Sequence, residues 1–146
     1  MNPGAASATS VARGSGVWLT RKDPSQPIYL VGKFVDEAVK TDLEKPKETG
    51  SQTWNLVASP KVEPVDVAQL LAGRQATDKV MVPTAGAPKN FIYSASAGKW
   101  GYIDYQTDEN GFVRAYFVTD DTTVPAGTGF WYLNGNSEHD SLDWEE

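Results

Sequence analysis

The chain of 146 residues has no cysteine and a single histidine, His139. Without thiols there is no disulfide framework, no thiolate metal site and no cysteine nucleophile. With one histidine, a zinc centre built from histidine and cysteine is excluded by count. No apolar run approaches the roughly 18 residues of a membrane span. Positive charge is sparse too: 13 Lys+Arg stand against 19 Asp+Glu, and Arg21-Lys22 is the only adjacent basic pair. A phosphate backbone needs a basic stripe, so nucleic acid is not an expected partner. No Gly-x-Ser-x-Gly elbow is present. The third glycine of a Gly-x-Gly-x-x-Gly cradle is replaced by Leu19 in one place and Tyr132 in another. The chain is therefore expected not to be an enzyme and to carry no cofactor and no metal.

The acids are unevenly placed. Glu138, Asp140, Asp143, Glu145 and Glu146 fall in the last nine residues, which leaves 14 acids against 13 bases in the remainder. At the other end, Met1 to Ser10 is small and polar, without the charged start and apolar middle of a signal peptide. The first motif begins abruptly at Gly14, as expected of a chain that starts after a removed signal or anchor. The organisation expected is a flexible lead-in over 1–13, one β-domain over 14–135, and an acidic segment over 136–146 that could supply a last edge strand. The tail and its His139 are expected to be peripheral and solvated.

What the chain does have is aromatic, period-two sequence. Five Trp, six Tyr and five Phe sit mostly in short runs of strand composition. These are Val17–Thr20, Ile28–Phe34, Thr53–Ala58, Lys79–Val82, Asn90–Tyr93, Lys99–Ile103, Phe112–Val118 and Gly129–Leu133, bounded by turns such as Ser96-Ala97-Gly98. Asn110-Gly111 between two of them is a hairpin signal. About eight strands with frequent turns predict an all-β fold, a single β-sandwich of the immunoglobulin-like kind or a partly open barrel. One short helix is expected near residues 64–72, with Pro64 at its first position, Val67, Leu70 and Leu71 on one face, and Gly73 as its stop. The charged stretch Asp36–Gln52 reads as a solvated loop, with a helical turn allowed by the spacing of Val39 and Leu43.

The most specific motif is a repeat. Gly14-Ser15-Gly16-Val17-Trp18 recurs as Gly127-Thr128-Gly129-Phe130-Trp131, and the same offset sets Tyr29 and Val31 against Leu142 and Trp144. Both copies read as strand-initiating corners, with Trp18, Trp54 and Trp131 turned inward. Val124–Trp131, Gln52–Pro60 and Pro27–Gly32 together resemble recurring motifs of exported β-modules in Verrucomicrobia and Bacteroidetes. A looser similarity is to pilin-type β-sandwich heads. The resemblance covers about half of the chain and describes strand corners rather than chemistry. It implies export, a cell-surface or outer-envelope location and a surface role.

Two functional expectations follow. The first is a non-catalytic structural or adhesive subunit of a pilus-like or cell-envelope assembly, joined to protein partners or to other copies through strand edges. The second is a carbohydrate-binding module, its partner a host or mucin glycan, in which Trp100, Tyr102 and Tyr105 form an exposed stacking platform beside Asp104; the other reading of these aromatics is core packing and strand pairing. A small hydrolase is the third reading, for which the sequence marks no raised-pKa carboxylate. The run Gln106–Gly111 echoes a calcium loop, but Gln106 and Phe117 stand at ligand positions, so it reads as a turn.

Overall fold

Alternation of branched or aromatic residues with polar ones lets a strand bury one face and leave the other outside, and most of this chain is written that way. The computed structural model describes residues 38–48, 50–74 and 77–144. The lead-in, the expected strands Val17–Thr20 and Ile28–Phe34, and the first corner with Gly14, Gly16 and Trp18 lie outside the described residues. In chain order the elements are β1 (Val39–Asp42), β2 (Thr53–Ala58), β3 (Val65–Asp66), α1 (Val67–Leu70), β4 (Lys79–Val82), β5 (Lys89–Ser94), β6 (Lys99–Thr107), β7 (Val113–Val118), β8 (Thr123–Val124), β9 (Gly129–Asn134) and β10 (Ser141–Trp144).

Six strands form an antiparallel sheet in the order β2-β9-β4-β5-β6-β7; β1 pairs with β10, and β3 with β8. The large sheet is open, and the fold is an all-β, sandwich-like one. Register defines its inner face. Val57 lies opposite Phe130, Val80 lies opposite both Tyr132 and Phe91, and Tyr93 lies opposite Trp100. The β1–β10 ribbon covers this face with Val39, Leu142 and Trp144, while α1 and the residue after it add Val67, Leu70 and Leu71. The Trp144 and Phe130 rings meet edge to face, 6.1 Å between centroids. Indole Nε1 of Trp144 donates to Thr41 Oγ1 at 2.9 Å, so the one polar atom of that ring is satisfied inside.

Three expectations are corrected here. The stretch read as a solvated loop contains β1, because Val39, Thr41 and Leu43 alternate inward at period two. The segment expected to be peripheral contributes β10, whose Leu142 and Trp144 are core residues. The helix begins at Val67 rather than Pro64: Val65 and Asp66 first pair with Val124 and Thr123, and Asp66 then caps the helix by accepting from Ala68 N. The corner at Gly127 has φ +63°, a conformation that favours glycine, and β9 starts two residues later.

Candidate functional site

β6 is the longest strand, yet it pairs with β5 only over Lys99–Gly101. From Tyr102 to Thr107 its partner is β7. Past Tyr102, which still packs on β5, these two strands therefore run on as a ribbon that leaves the sheet as an arm. Gly101 sits at the point of departure, where the Phe117 ring crosses the strand and a side chain in place of the hydrogen would collide with that ring and with the Val118 carbonyl. At the tip, Asp108 organises the turn. Its Oδ1 accepts from Asn110 N and Phe112 N at 3.0 Å each, and Arg114 Nε donates to its Oδ2 at 2.8 Å. The Phe112 amide first, and then Arg114, hold the Asp108 carboxyl below the usual carboxylate range. Gly111 takes φ +81° and donates to the Asp108 carbonyl.

The arm's tip is held by the Asp108 bonds, and no described residue covers its outer face. Among the described residues seven large apolar side chains are exposed, and five of them are on the arm: Ile103, Tyr105, Phe112, Val113 and Tyr116. Tyr105 and Phe112 keep 70% and 67% of their surface in solvent. Strand alternation places Ile103, Tyr105 and Val113 on one face beside Ala115 and Phe117. Tyr116 and Arg114 share the other face. A contiguous apolar patch on a well-ordered hairpin is the kind of surface a protein keeps for contact.

The three residues expected to form a sugar platform are not brought together. Trp100 is 5% exposed, packed edge to face on Tyr93, so of the two settings the sequence leaves open for it, core and exposed platform, it takes the core. Tyr102 is half-buried on the same face, against Phe91 and under the Lys89 ammonium, 4.8 Å from the ring centroid. Tyr105 lies on the opposite face of the strand. A shallow cleft of about 280 Å³ at the base of the arm is lined by Trp100, Tyr93, Asp66, Lys99, Thr119 and Thr122, and Trp100 leaves only 5% of its surface open there or elsewhere. Lys89 is held charged chiefly by its hydrogen bond to Asp121, which is lowered in return. Trp54, expected inside, is 49% exposed on the outer face of the sheet, and Trp131 is half-buried opposite Leu56 on that face.

His139 corrects the expectation of a solvated tail. Its Nδ1 lies 2.7 Å from Oδ2 of Asp78, a carboxylate with no exposed side-chain surface. Tyr132 donates its hydroxyl to the same oxygen, and Arg74 Nη1 donates to Tyr132 Oη at 3.1 Å. Asp78 Oδ1 accepts from Gly135 N at 3.0 Å and Thr77 Oγ1 at 2.9 Å. Burial first, and then the bond to Asp78, push the Tyr132 phenol upward. Every acceptor position is occupied, and the cluster ties β4, β9 and the approach to β10 together, with Arg74 Nη2 reaching the Ser141 carbonyl. That is a structural clamp. Among the described residues no three His, Asp or Glu side chains converge on a metal position.

The Phe112–Val118 run was legible as a strand, but nothing local to it said that its apolar residues stay outside. Such a signal could have come only from the unequal pairing of β6, which is a property of the fold. Compared with protein-family models, curated proteins and solved structures, the chain matches none.

Proposed function

We propose that this protein is a non-catalytic binding module, a structural or adhesive subunit of an exported envelope or cell-surface assembly, and that it docks through the arm formed by β6 and β7. The observation that carries this reading is the gathering of Ile103, Tyr105, Phe112, Val113 and Tyr116 on one ordered ribbon. Rigid aromatic side chains lose little freedom on contact and shed much apolar surface, which is what anchors at an interface do. The exported setting is taken from the motif resemblance. A photoreactive phenylalanine analogue placed at Tyr105 or Phe112 of the full chain, with exposed Val62 as the control site, tests the reading in the native envelope. Covalent adducts from positions 105 and 112 and none from 62 are expected; adducts from all three, or from none, overturn it.

A further inference from the structure

Among the described residues the outer edge of β7 is unpaired, and it has a register in which it matches itself. We propose that the occupant of the arm is a second copy of this chain, paired antiparallel along β7 about a two-fold axis at Ala115. This inference rests on the arm being the docking surface and names its partner.

The main-chain argument comes first. Asp108 N donates to Phe112 O at 2.9 Å, which sets the alternation of the hairpin ladder. Arg114, Tyr116 and Val118 turn their backbone groups toward β6, so those of Val113, Ala115 and Phe117 point outward from the edge. Among the described residues β7 is the last strand of its sheet. Edge strands are ordinarily blunted by Pro, Lys or a bulge. β7, Val-Arg-Ala-Tyr-Phe-Val, has no Pro and no Lys, and its ladder with β6 runs unbroken from Tyr102↔Val118 to Thr107↔Val113.

The side chains then select the register. With Ala115 opposite its symmetry mate, Val113 faces Phe117 of the other copy and all three outward-pointing residues pair. On the patch face the smallest residue sits on the axis, flanked by Tyr105 of each copy, because Tyr105 is the β6 partner of Ala115. On the other face Arg114 of each copy comes beside Tyr116 of the other, a cation against an aromatic ring. Arg114 is already steadied by Asp108. A shift by one residue would instead leave the outward backbone groups of one strand against inward ones of the other.

The test uses the full chain. Sedimentation velocity of the wild type is expected to show a dimer, while Ala115→Glu and Ala115→Lys, each placing like charges across the axis, weaken it by about tenfold. An equimolar mixture of the two variants is expected to recover the dimer. Ala115 is exposed, and circular dichroism checks that each variant is folded. Independently, Ala115→Cys in this cysteine-free chain is expected to form a disulfide-linked dimer on oxidation, since Cα atoms about 5.5 Å apart lie within disulfide reach, whereas Ser96→Cys at the opposite turn is not. A monomeric wild type at high concentration, or a dimer indifferent to both charge variants, overturns the inference. A monomer that still gives adducts to another protein from positions 105 and 112 sinks the two-fold pairing alone. The absence of adducts from positions 105 and 112 sinks the docking surface, and the two-fold pairing with it.

Discussion

The centre of the sheet and the arm are made of the same material. β9 reads Gly-Phe-Trp-Tyr-Leu-Asn and β7 reads Val-Arg-Ala-Tyr-Phe-Val, both aromatic and both of strong strand propensity. In β9 the rings of Phe130 and Tyr132 are fully buried, because β2 and β4 flank it and Trp144 lies over Phe130. In β7 no strand lies beyond the edge among the described residues, and Tyr116 remains exposed. Composition therefore decides that a segment extends, while its neighbours decide whether its apolar side is spent on folding or kept for contact.

That contrast can be broken from the centre outward. Trp144→Ala removes a buried ring from the covering layer and is expected to cost about 3–5 kcal/mol, read from the urea midpoint; a loss below about 1 kcal/mol would mean the β1–β10 ribbon is an ornament. Asp78→Ala leaves Tyr132, His139 and the Gly135 amide without their common acceptor, and is expected to cost about 3 kcal/mol by the same measurement. On the arm, Tyr105→Ser combined with Phe112→Ser is expected to change stability by no more than about 0.5 kcal/mol. A cost of several kcal/mol there would erase the distinction between the two regions.

The smallest effect is one of acidity at the arm's tip. The Asp108 carboxyl is lowered in the folded state relative to its ordinary value of 3.8. Its contribution is thus fully present above that ordinary value and is lost as pH falls through the lower folded value. The protection of the Asn110 and Phe112 amides from exchange, taken relative to the intrinsic rate at each pH, is expected to fall in that acid range and to be unchanged from neutral pH down to it. Asp108→Asn is expected to remove the dependence.

Much of the framework was legible. Thr53–Ala58 and Lys79–Val82 coincide with β2 and β4 because turns and charged residues bound them sharply. β1 was hidden because Thr41 counts as polar, so Val39, Thr41 and Leu43 did not register as an inward row. His139 was misread because its surroundings in sequence are acidic and solvated, while its partner Asp78 lies 61 residues away. Trp54 lies outside against expectation, and the choice between core and surface for Trp100 stayed open, for a related reason. Which face of a sheet is covered depends on where β10 and α1 settle, and strand periodicity is silent on that. The arm itself was half legible: its strands and its Asn110-Gly111 turn were readable, the early end of its pairing with β5 was not.

The pairing of Val39 with Trp144 places the points where the polypeptide enters and leaves the covering ribbon side by side. A pulling force applied through residues 38 and 144 would act along the cross-strand hydrogen bonds rather than across them, so the bonds would open one after another from that end. Extraction of the Trp144 indole would then precede rupture of the six-stranded sheet, and the load at which it yields would be governed by the rate of that first peeling step.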